Sequence, residues 1–174
     1  MNARPARIFW IVLGIIVLVQ AWENRPLSAP LRDLAADSIL IEKGSRTMTL
    51  LRDGVPLKTY RVALGRNPVG PKERQGDGKT PEGTYRIVGH LEQSAFHRAL
   101  RLSYPEPKDV RHANALGVSP GSDIMIHGIR NGLGWLGRLQ RRIDWTQGCV
   151  AVTNPEIEEI WAAVPDGTPV EIRK

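Results

Sequence analysis

Cysteine is almost absent from this 174-residue chain: Cys149 stands alone. That excludes an intrachain disulfide, and no Cys/His cluster has the spacing of a zinc site. No internal repeat is present. No apolar run reaches the roughly 20 residues of a comfortable bilayer span. The longest, residues 8–19, is interrupted only by Gly14. Disorder is excluded as well, because 41% apolar and 24% charged residues are ordinary globular usage. The length suffices for one domain with a real core plus an extra segment.

The N-terminus stands apart. Arg4 and Arg7 precede the apolar run, and Val19-Gln20-Ala21 offers small residues where export signals are cut. Residues 1–22 therefore read as a signal peptide or an uncleaved signal anchor, with Ala21 and Trp22 extending residues 8–22 toward a membrane interface. Either case sends the rest of the chain into the periplasm or cell envelope. The net charge of +6 stays positive once Arg4 and Arg7 are removed. For an exported protein a polyanionic envelope or a carboxylate-bearing peptide is the expected partner, not nucleic acid.

Residues 23–37 read as a linker, with Pro26 and Pro30 opposing a long helix. Residues 38–174 form the folded domain. Short β-rich segments follow at 38–42, 47–52 and 57–64, the last two joined by the turn signal Asp53-Gly54. Residues 65–82 are a Gly/Pro/Lys-rich loop, and strands are expected again at 83–89 and 99–104. A short helix falls within 105–116, a buried strand over 123–127, and a long loop over 128–145. Residues 149–152 read as a strand. Asn154-Pro155 opens a helix over 156–164, and Pro165-Asp166-Gly167 turns the chain into a last strand at 168–172. The sum is mainly β: about eight short strands and one clear helix.

Chemistry concentrates at two places. Thr146-Gln147-Gly148-Cys149 offers a soft nucleophile beside a glycine that allows backbone N–H groups to approach an oxyanion. His127 closes the apolar stretch Ile124-Met125-Ile126 and is followed by Gly128, so its imidazole is the candidate base. Taken alone, a single cysteine and one of four histidines are more often a small buried hydrophobe and a core histidine. Gly78-Lys79-Thr80 has the look of a nucleotide loop, but Pro81 and the strand after it argue against one.

The stretch Gly76-Asp77-Gly78-Lys79-Thr80-Pro81-Glu82-Gly83-Thr84-Tyr85, then Ile126-His127-Gly128, then Thr146-x-Gly148-Cys149, closely resembles the L,D-transpeptidase (YkuD-type) catalytic domain. The likeness runs from about residue 38 to residue 172. It implies a β-sandwich-like fold with one or two short helices and the site at one end. It also implies acyl transfer on peptidoglycan stem peptides, at the bond between diaminopimelate and D-alanine, without a cofactor or metal. Cys149 would be the nucleophile and His127 the base. Gly148, Thr146 and Gln147 would shape the oxyanion loop. The acceptor would be an amine of another stem peptide or of an envelope protein.

Two positions depart from the family pattern. Gln147 stands where many members carry a histidine, and Ala151 where many carry an arginine that holds a substrate carboxylate. A methyl group cannot make a bidentate clamp. Arg138, Arg141 and Arg142, with Trp135 and Gly128, are the candidates to contact substrate in its place. Alternatives are a hydrolase using the same Cys/His pair, either a carboxypeptidase or a cross-link amidase, and a non-catalytic envelope-binding module.

Overall fold

The computed structural model describes residues 4–23 and 35–174. Most of the expected linker lies outside the described residues. An N-terminal helix, α1 (Arg4–Glu23), precedes it. Among the described residues no helix is long and apolar enough to cross a membrane.

Eight strands follow: β1 (Ser38–Glu42), β2 (Thr47–Arg52), β3 (Val55–Arg61), β4 (Gly83–Ser94), β5 (His97–Leu102), β6 (Met125–His127), β7 (Val150–Ala151) and β8 (Pro169–Arg173). Two short helices, α2 (Pro107–Ala115) and α3 (Asn154–Ala163), flank the later strands. The strands form one hydrogen-bonded ladder in the order β3-β2-β1-β8-β4-β5-β6-β7. The long β4 makes this continuity. Its first residues pair with β8, its later ones with β5, and its register shifts between Ile87 and Gly89.

Period-two alternation explains the strands. In β1 and β2 every second side chain is buried, and Ile39, Ile41, Met48 and Leu50 lie within 1% of full burial. Each such branched or long apolar side chain contributes roughly 2–5 kcal/mol, judged by what truncation to alanine costs. Asp53 and Gly54 both take positive φ, as a tight two-residue hairpin loop requires. At α3, the Glu156 carboxylate accepts from the Thr153 backbone N–H and hydroxyl, so Thr153 rather than Asn154 is the cap. Asn154 is occupied elsewhere: its Oδ1 accepts the Ile129 N–H at 2.8 Å.

The expected loop over 128–145 contains a 3-10 segment, Gly134–Arg142, kinked at Gly137 (φ 48°, ψ −129°). The sequence hid it because four glycines within residues 128–145 weaken any helical pattern.

Candidate functional site

The edges of the ladder meet at the cysteine. Beyond β3, Ala63 and Ala151 exchange two backbone hydrogen bonds of 2.8 and 2.9 Å. Thr146 N–H donates to Leu64, and Arg66 N–H donates to Thr146. On the other side β7 runs parallel to β6, with His127 opposite Ala151 and Val152 N–H donating to the His127 carbonyl. The turn carrying Cys149 is thus held from both flanks.

Within that turn Thr146 is a brace. Its hydroxyl accepts the Gly148 N–H at 3.1 Å and donates to the Cys149 carbonyl at 2.7 Å. Gly148 has φ +133°, and a Cβ there would lie 2.6 Å from the Lys79 carbonyl oxygen. Glycine is required here on both counts. The loop of residues 76–83 is accordingly architectural: it packs against the cysteine turn, and the buried Thr80 hydroxyl accepts the Gly65 N–H.

Cys149 and His127 line one cavity of about 460 Å³, together with Leu91, Phe96, Met125 and Trp145. His127 is buried (3% exposed), and its Nδ1 lies 2.7 Å from the Gly128 carbonyl. A carbonyl only accepts, so Nδ1 carries the proton and Nε2 is left as the basic nitrogen. The Phe96 ring lies 4.5 Å from the imidazole and the Trp145 ring 5.8 Å. Burial, opposed by the Gly128 bond, lowers the imidazole to about 4. Burial likewise pushes the Cys149 thiol up, against a lowering by the Met125 backbone and the Lys72 charge. Both shifts favour the uncharged thiol and the uncharged imidazole.

A second, smaller cavity of about 270 Å³ opens on the other side of Cys149, lined by Lys72, Gln75, Ser122, Asp123 and Gln147. Asp123 sits on the walls of both cavities with φ 57°, and its carbonyl accepts from the thiol at 3.5 Å. The Lys72 ammonium contacts Asp77 at 2.9 Å and the Arg74 carbonyl at 3.0 Å.

The expected contacts sort as follows. Cys149, His127, Thr146 and Gln147 share the larger cavity. Gly148 shapes the turn and Gly128 the imidazole; a Cβ on Gly128 would meet Asn154 Oδ1 at 2.8 Å. None of Arg138, Arg141 or Arg142 lines either cavity of Cys149. Arg141 ion-pairs with Glu156 and Arg138 donates to the Trp22 carbonyl. Arg142 is exposed. Trp135 is 53% exposed and also lies outside both cavities. Ala151 is fully buried between its ladder partners.

Sequence reasoning missed Phe96, Lys72 and Asp123. Phe96 left a faint signal, as one of only two phenylalanines and set in the polar stretch Gln93-Ser94-Ala95-Phe96-His97. Among the described residues no group of three or more His, Cys, Asp or Glu is placed to hold a metal ion.

The family model for the L,D-transpeptidase catalytic domain (YkuD) matches residues 36–172. YafK of Escherichia coli K12, provisionally named an L,D-transpeptidase, is 30% identical over 110 residues, or 62% of this chain and 37% of YafK. The chain thus spans well under half the length of that relative. Among solved structures, the helical cell shape determining protein Pgp2 from Campylobacter jejuni (K307A mutant) superposes with a TM-score of 0.62 at 21% identity. That match covers 87% of this chain and 51% of Pgp2. The L,D-transpeptidase from Mycobacterium smegmatis superposes at 0.53 with 15% identity, covering 80% of this chain and 59% of the other. At these identities the two structures share the fold.

Proposed function

Because this chain belongs to the L,D-transpeptidase (YkuD) catalytic domain family, we propose that it is a cysteine acyltransferase acting on peptidoglycan stem peptides in the cell envelope. One observation carries the reading: the chain's only thiol and a buried neutral imidazole with its Nδ1 already satisfied share one cavity.

In this reading Nε2 of His127 takes the Cys149 proton as the sulfur attacks the diaminopimelate carbonyl. A C–S bond forms and the carbonyl oxygen becomes an oxyanion. Gly148 N–H is committed to Thr146, so the Cys149 N–H is the donor assigned to that charge. The C–N bond then breaks, and D-alanine leaves with the proton from His127. An amine from a second stem peptide, or from an envelope protein, attacks the thioester and restores the thiol. Residues 1–22 deliver or tether the domain to the envelope in the same reading, and residues 38–174 form the catalytic domain.

Buried Ala151 favours a second reading, hydrolysis by the same pair, because the carboxylate clamp seen in many cross-linking members is missing and no expected arginine lines the cavity. Incubation with muropeptides separates the two. New 3→3 dimers mean transfer, and shortened or released stems alone mean hydrolysis. The chemistry itself is tested by mass spectrometry with a carbapenem. The wild type should gain the drug's mass and Cys149→Ser should not; a folded wild type that gains nothing sinks both readings.

A further inference from the structure

Residues 124–143 contain four arginines and no acidic residue. The 3-10 segment they include is flanked and capped by exposed apolar side chains: Leu133 (40% exposed), Trp135 (53%) and Ile143 (69%). Behind them lies a third cavity of about 460 Å³, lined among others by Ile129, Leu136 and Leu139, which shares Phe96 and Trp145 with the cysteine cavity. A water-facing loop rarely gathers this much apolar surface, here beside the exposed Arg130 and Arg142.

The same segment is where α1 meets the domain, with Arg138 donating to the Trp22 carbonyl at the last turn of α1. From Ile8 to Val19 the apolar side chains of α1 are 38–70% exposed. A helix apolar around its circumference and uncovered by protein suits the boundary of a lipid bilayer even where it is too short to cross one. Apolar side chains and Trp edged by Arg are also what a headgroup interface accepts. The contact therefore sets Leu133, Trp135 and Ile143 beside the element with the strongest claim on a membrane.

We propose that the 3-10 face is a membrane-docking surface: Leu133, Trp135 and Ile143 enter the headgroup boundary of an anionic bilayer, and exposed Arg130 and Arg142 pair with its phosphates. α1 holds the domain there, and the third cavity opens toward the lipid. The cysteine cavity is then presented next to the membrane surface, separated from it by Phe96 and Trp145. This inference rests on α1 and the 3-10 face, not on the acyl-transfer reading.

The test uses the full chain with Cys149→Ser, which leaves no other thiol. Nitroxide labels are placed at Leu133→Cys or Ile143→Cys, with Val55→Cys at the exposed start of β3 as the reference. The protein is reconstituted in vesicles of phosphatidylethanolamine and phosphatidylglycerol, and collisions with oxygen are compared with those of a water-soluble nickel complex. The oxygen-to-nickel ratio at 133 and 143 should exceed that at 55 several-fold. It should fall when Arg130→Glu and Arg142→Glu are added. Ratios at 133 and 143 equal to that at 55, in protein that retains its β-sheet circular dichroism, would overturn the proposal. So would failure of the full chain to associate with these vesicles. Because no peptidoglycan is present, neither result bears on the Cys149 chemistry.

Discussion

At the scale of single residues, the imidazole of His127 decides the pH behaviour. Its folded value near 4 lies below the ordinary 6.5. Between those two values the unfolded chain binds a proton that the folded one refuses, so folding stability falls as pH drops through that window. The full effect is on the order of 3 kcal/mol, and the loss levels off below about pH 4. Urea melts of the wild type should show this slope, and His127→Gln should flatten it. The same shift keeps the imidazole neutral in mild acid. Carbapenem acylation should therefore persist at pH 5 and fail near pH 4; an acid limb centred at 6.5 would show that burial does not control the base. Gly148→Ala forces a side chain onto the Lys79 carbonyl at a positive φ. It should cost more than about 2 kcal/mol in denaturant melts and slow thiol labelling by the drug.

Among elements, α3 ties the arginine-rich segment to the core. Glu156 accepts from Thr153 at the helix start and pairs with Arg141, whose side chain is only 9% exposed. Thr153→Ala should remove about 1 kcal/mol, as lost helix caps do. Glu156→Ala should remove more, because it also leaves a buried guanidinium without its carboxylate. Thermal melts of both variants would rank them, and equal losses would mean that the ion pair contributes nothing. The bond to Glu156 also holds the Arg141 guanidinium away from both cavities of Cys149, neither of which it lines. A sequence shows four arginines in a loop but not which carboxylate each will meet. By contrast β1 and β2 were legible to the residue, since period-two burial is written directly in Ser38-Ile39-Leu40-Ile41-Glu42 and Thr47 to Arg52. The register shift in β4 and the kink at Gly137 were not legible, because both depend on what packs against them from distant parts of the chain.

For the molecule as a whole, the cysteine and histidine were readable from local motifs, whereas their company was not. Phe96, Lys72 and Asp123 reach Cys149 from separate loops that only the completed ladder draws together. Residues 63 and 151 exchange backbone bonds across most of the domain's length. Closing contacts so far apart in sequence costs chain entropy that local pairings do not. The thiol's environment is therefore finished only when the two margins of the sheet come together. Cys149 should act as a sentinel for that event: under rising denaturant its modification by a small disulfide reagent would speed up before far-ultraviolet ellipticity changes, as the seam parts ahead of the strands.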